Sequence, residues 1–498
     1  MRITAWLIAE QQCDLTYQLT YVGCRPPPIS TAARAANQER RVSQPYRPAD
    51  GTRPALGVQS FVLPLLVWLC CWAGLNAGPW YFEKAPQDLV SWINVLRTFG
   101  PLLPLALWPL LPLLRRQHRL PTLAEGLWIG YALLSLQAAL LTGADFMVCY
   151  WALAYLGVFA AIDWSFGSVD PLPRAMATNH FIWLLASLLF FGMLFVARDV
   201  LLVQGKLGIT AHGLVTRADL GQFGPISRST GMARLAVIPA VVGLVMALGG
   251  RGLRRVIWAA LSLAALGAIW LLQARQGIVG AAFALGLVVW LFGGRTRFVG
   301  VAAMLLAGLL LLGGLFPEDW LRYLTEYATR GDSLSKLQSM TGRDLIWRLG
   351  WRVVEEAPWL GAGPEADRRL IGLNAQNGLL YAALAAGYPG AALYLGGLLW
   401  GWILFARAVL RGYAQDSAER LFLIQVGGIM AYLTIRNIPE NTAALFSVDL
   451  LLHAPLLAYL GTLERVRGPA WRRAHRTTAS PAWGLGSSAD GPTGLPRA

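Results

Sequence analysis

Apolar runs alternate with short polar connections along most of the chain, and each run is long enough to cross about 30 Å of hydrocarbon as a helix. The pattern predicts about twelve spans, near 58–75, 99–114, 123–142, 146–165, 178–203, 232–249, 253–273, 276–293, 298–316, 377–406, 420–436 and 442–462. The second carries Pro101, Pro104, Pro109 and Pro112, so it is expected to kink or to insert only in part. One interruption breaks the rhythm, at 317–377. Within it, Thr341 to Glu356 has the period of an amphipathic helix, opened by Thr341 and Asp344 in a capping-box-like pair. Ile346, Leu349 and Val353 share one face, and Arg348, Arg352 and Glu356 another. Two placements follow: along the outer membrane interface, with Trp347 and Trp351 at headgroup level, or as a lid over the spans.

The predicted fold is therefore all-α and polytopic. Residues 58–316 hold nine spans, 317–377 form a long extracytoplasmic loop, and 378–462 hold three more. Residues 1–57 read as a disordered basic cytoplasmic arm, or as sequence upstream of the true start, and 463–498 read as a disordered cytoplasmic tail.

Composition agrees, with 56% hydrophobic residues, 14% charged and a mean hydropathy of +0.49. Arginines mark one side of the membrane: Arg115, Arg116 and Arg119, then Arg251, Arg254 and Arg255, Arg295 and Arg297, Arg407, Arg411 and Arg420, and the tail. Cytoplasmic loops carry such an excess, so both termini are assigned to the cytoplasm. The net charge of +15 is thereby accounted for without nucleic acid. Five cysteines, two in the arm and three in apolar runs, give no disulfide framework. The five histidines form no ligand cluster, and no phosphate-cradling loop, dinucleotide fingerprint or nucleophile elbow is present. Neither a metal nor a cofactor is expected.

The chemistry predicted for the outer side rests on arginine. Arg228 and Arg234 flank the entry to the sixth span, Arg275 sits in the short QARQG turn, Arg343 opens the loop helix, and Arg436 ends the eleventh span. A guanidinium at the edge of hydrocarbon either snorkels, or pairs with a carboxylate such as Glu440, or binds phosphate bidentately. WLGAGPE at 359–365 is either a plain glycine turn or a set of amides aimed at an anion. Asn374, Gln376 and Asn377 then lead into the tenth span, as caps or as polar groups facing a cleft.

The order of Arg275 in a tight turn, GRDLIW at 342–347, Pro358, GAG at 361–363 and NAQNGLLYAALAAGYPG at 374–390 resembles the O-antigen ligase and O-antigen polymerase superfamily. SRSTGMARLA, residues 227–236, and RNIPE at 436–440 are similar to further family segments, so the resemblance covers roughly 220–460. It implies glycosyl transfer at the outer face of a bacterial inner membrane, from an undecaprenyl pyrophosphate-linked glycan to a lipid or glycan acceptor hydroxyl. It places Arg275 and Arg228 or Arg234 at the pyrophosphate, gives Arg343 an orienting role, and puts Arg436, Glu440 and Asn377 in the same cleft. The family carries histidine where this chain has Gln376, which holds a hydroxyl but cannot take its proton. Glu365, Asp344 and Glu440 are the substitutes, and the change favours a polymerase or divergent transferase over a standard ligase. Two other readings stay open: a secondary transporter or flippase for a lipid-linked glycan, and a non-catalytic assembly partner.

Overall fold

A computed structural model describes residues 58–75, 89–110, 119–167, 170–203, 229–272, 274–293 and 343–468. All its regular elements are helices: α1 (Val58–Ala73), α2 (Leu89–Thr98), α3 (Leu103–Leu107), α4 (Leu123–Leu141), α5 (Phe146–Phe166), α6 (Pro171–Val203), α7 (Ser229–Gly249), α8 (Gly252–Leu271), α9 (Arg275–Phe292), α10 (Arg343–Glu356), α11 (Gly378–Leu410), α12 (Ser417–Arg436) and α13 (Val448–Arg467). Seven of these described helices are long and apolar enough to cross a membrane, namely α4 to α8, α11 and α12. The chain is thus built as an all-helical, polytopic membrane protein. The expected span at 298–316, Thr341, the arm and residues 469–498 of the tail lie outside the described residues, while 463–467, expected in the disordered tail, continue helix α13.

One expectation changes: residues 89–98, expected in a loop, form α2. The proline-rich second span is broken into short pieces, as its prolines predict. Two 3-10 turns, Gly100–Leu102 and Trp108–Leu110, flank the five-residue α3, because each proline removes a backbone donor and blocks the preceding turn.

Side chains fix several helix starts. Thr122 and Glu125 make a full capping box on α4, while Asp416 and Ser447 accept from the amides of Glu419 and Leu450 in the first turns of α12 and α13. α8 turns Leu253, Val256, Ile257 and Leu263 outward, as a lipid-facing helix does. α13 is the opposite. It is buried from Val448 to Leu463 among α4, α5, α6, α11 and α12, so its charged ends belong to the protein interior and its rim. Polar bonds join neighbours where lipid supplies no hydrophobic drive: the Trp128 indole donates to Tyr394 O at 2.9 Å, and Ser262 Oγ to Ala240 O at 2.8 Å.

α11 is broken at Ala386 and Gly387, and the break is filled by the loop that precedes it. The acceptor Leu384 O has lost its helical donor, because Tyr388 N–H goes to Pro358 O at 2.7 Å. Ala385 O has none to lose to, since residue 389 is proline. Both carbonyls accept instead from Ala362 N and Gly363 N, at 2.9 Å each. Non-helical backbone inside an apolar bundle persists only where such partners exist. Gly387 (φ 65°) and Gly361 (φ 72°) make the approach possible: a Cβ on Gly387 would stand 2.6 Å from Pro358 O.

Candidate functional site

The helix starts and ends just described bring four segments to one end of the bundle: the start of α7, the end of α12 with its following turn, the start of α13, and the loop 361–377. Between them lies a cavity of about 410 Å³, lined by Thr230, Arg234, Glu365, Arg368, Asn374, Arg436, Glu440, Asn441 and Asp449, with Trp151, Leu445 and Phe446 as apolar wall. Its charged lining is balanced, three cations against three carboxylates.

Asp449 is the deepest of these groups. Arg234 Nη1 donates to its Oδ2 at 2.8 Å, and Arg436 Nε lies 3.4 Å from its Oδ1. Arg436 Nη1 also donates to Thr230 O at 3.1 Å, which ties the end of α12 to the start of α7. All three side chains are at most 10% exposed, so the pair of arginines shares one buried counter-charge and leaves a local excess of one positive charge. The expected partner of Arg436, Glu440, lines the same cavity but is not its direct ion-pair partner.

Glu365 lies at the loop side. Its backbone is left-handed (φ 59°), held by its own N–H on the Tyr381 hydroxyl at 3.1 Å. Burial pushes its carboxyl above the ordinary carboxylate value, and Arg368, whose Nη1 donates to Oε2 at 3.1 Å, opposes that push. A carboxylate so raised is a stronger base than an ordinary one, as a proton acceptor needs to be.

Arg343 stands behind the wall. Its Nε donates to Gln376 Oε1 at 2.5 Å, and its Nη2 is 4.0 Å from Glu440. Burial lowers its pKa and Glu440 raises it. Gln376 is itself left-handed (φ 48°), and its N–H donates to Asn374 Oδ1. It therefore orients Arg343 and does not line the cavity. Asn377 likewise belongs to the scaffold: its Oδ1 caps α11 at Leu380 N, and its Nδ2 donates to Ile438 O. Asp344 is exposed and paired with Arg348, away from the cavity.

Of the residues singled out from sequence, Arg234, Arg436, Glu440 and Glu365 thus meet at one cavity, with Arg343 and Gln376 adjoining. Arg275 is the first residue of α9, its side chain outside the described residues, as is all of Arg228. The GAG amides serve the break in α11 and present no anion nest. The loop helix α10 is a lid packed on α11, not a free interfacial helix. Its inner face is Trp347, Gly350, Val353 and Val354; of the expected face Val353 packs on the core, while Leu349 is exposed. Gly350 sits on Leu380, and the Trp347 indole, expected at headgroup level, donates to Ala375 O at 3.1 Å.

Three residues escaped the reading of the sequence. Asp449 had a signal, since a lone carboxylate in the apolar run SVDLLLHAP marks a functional position by default. Asp367 and Asn441 had none, because their partners are fixed only by folding. Among the described residues no three His, Cys, Asp or Glu stand together as metal ligands. No protein-family model matches this chain, and no curated protein or solved structure is significantly similar to it.

Proposed function

We propose that this protein transfers a glycan from a polyprenyl pyrophosphate carrier to an acceptor hydroxyl at the outer face of a bacterial cytoplasmic membrane, as a polysaccharide polymerase or ligase. The observation that carries the reading is one cavity that joins two buried arginines to a carboxylate of raised pKa. The O-antigen ligase and polymerase resemblance supports it, and so does the order of the segments that meet there.

In this reading Arg234 and Arg436 stabilise the pyrophosphate as it leaves. The acceptor oxygen attacks the anomeric carbon, the bond from that carbon to the pyrophosphate oxygen breaks with its electron pair going to pyrophosphate, and the acceptor proton passes to Glu365. Glu365 takes the task that Gln376 cannot perform. Arg343, held by Gln376 behind the cavity wall, orients donor or acceptor through Glu440, which lines the cavity.

The test is transfer by the purified full chain in lipid vesicles, with a polyprenyl pyrophosphate-linked oligosaccharide and an acceptor glycan. Glu365→Gln is expected to lower the rate of bond formation by about 10² to 10⁴, the usual range for losing a general base. Full activity in that variant would remove Glu365 as base, and no new glycosidic bond with the wild-type chain would remove the function. A flippase reading has one point in its favour, the broken helix α11. The carbonyls freed at the break are taken by the chain's own amides, which leaves none there for a transported ion.

A further inference from the structure

Asp367 is 1% exposed, yet no arginine, lysine or histidine lies within ion-pair distance of it among the described residues. A buried carboxylate without a cation is costly unless neutral donors take its lone pairs. Three do so. Ala375 N–H donates to Oδ2 at 2.8 Å, Asn441 Nδ2 to the same oxygen at 3.2 Å, and Arg368 N–H to Oδ1 at 2.9 Å. Asp367 also opens the π-helical turn Asp367–Ile371, a backbone form that is rare and concentrated at functional sites.

The three donors come from separate segments of the chain. Arg368 begins the turn next to Glu365, Ala375 precedes the residues that cap α11, and Asn441 belongs to the turn after α12. Asn441 passes the link on, because its Oδ1 accepts from Asn377 N–H at 3.1 Å, while Gly378 N–H reaches Asn437 O at 3.0 Å. Glu365, Arg368, Asn374, Glu440, Asn441 and Thr442, on both sides of this junction, line the cavity.

We infer that Asp367 is a positioning residue for transfer: its carboxylate joins the loop 365–376 to the turn 437–442 and so holds Glu365 and Asn441 on the cavity wall. It touches no reacting group itself. Its charge also acts on Glu365, where it adds to the upward push on the carboxyl. This inference rests on the function proposed above.

Asp367→Asn keeps the shape and removes both the charge and the bond to Arg368 N–H. In the vesicle assay kcat is expected to fall about tenfold or more, as for loss of a charge-assisted hydrogen bond, with the donor KM changed less than about twofold. The acid limb of the kcat profile is expected to move to lower pH. A merely structural role would lower the folded fraction and scale the rate equally at every pH. Hydrogen–deuterium exchange of the same variant, in lipid and without substrate, should rise in peptides covering 365–377 and 437–442 while α4 and α13 keep their protection. An unmoved acid limb together with unchanged exchange overturns the inference. If the wild-type chain forms no glycosidic bond, the proposed function falls, and the exchange measurement alone decides whether Asp367 holds the junction.

Discussion

Asp449 between Arg234 and Arg436 is a buried charge cluster in which each member depends on the others. Removing one partner strands charge in an apolar surrounding, which costs about 3 to 5 kcal/mol. Asp449→Ala is therefore expected to lower the midpoint of thermal unfolding in detergent far more than Glu440→Ala, whose side chain is 24% exposed. Equal effects of the two would show that the cluster is not buried as described. Glu365 makes a different prediction, in pH. As base it must be ionised, and its pKa lies above the ordinary value, so transfer should fail as pH drops through a midpoint higher than 4.5. An acid limb at or below 4.5 would exclude it as the base. At this scale the sequence showed the arginines, because a guanidinium in an apolar chain is conspicuous. It did not show their partner, since nothing near Arg436 in sequence prefers Asp449 over Glu440.

α11 carries the clearest prediction among the elements. Its break is set by Gly387 and Pro389 and stabilised by the amides of Ala362 and Gly363. Gly387→Ala adds a Cβ in a left-handed backbone, at about 1 to 3 kcal/mol for the conformation alone, and forces it against Pro358 O. It should be poorly expressed or unfold early. Pro389→Ala restores a donor for Ala385 O and should be tolerated much better, a contrast that thermal unfolding of the two variants measures. The tenth span was expected to run unbroken over 377–406, although its GYPG segment holds the glycine and proline that break it. That the GAG turn fills the break was not legible, because a glycine turn looks the same whether its amides face an anion or a carbonyl. The lid α10 shows the same limit. Its period was correct, but its inner face is rotated toward Trp347 and Gly350, because only a residue without a side chain lets it sit on Leu380.

For the whole molecule, the arginine distribution predicts sidedness. Arg348→Cys, on the exposed face of the lid, should react with a membrane-impermeant maleimide in intact cells, and Arg411→Cys, after α11, only once cells are opened. The reverse pattern would invert the assigned topology. The sequence by itself determined that the chain is helical and crosses the membrane several times, because in hydrocarbon each segment must satisfy its own backbone and the apolar runs can do so only as helices. The tertiary structure decided the site. Arg234, Glu365, Asp367, Arg436, Asn441 and Asp449 are brought together from segments up to 215 residues apart, and their pairings follow from which helix ends and turns meet at the cavity.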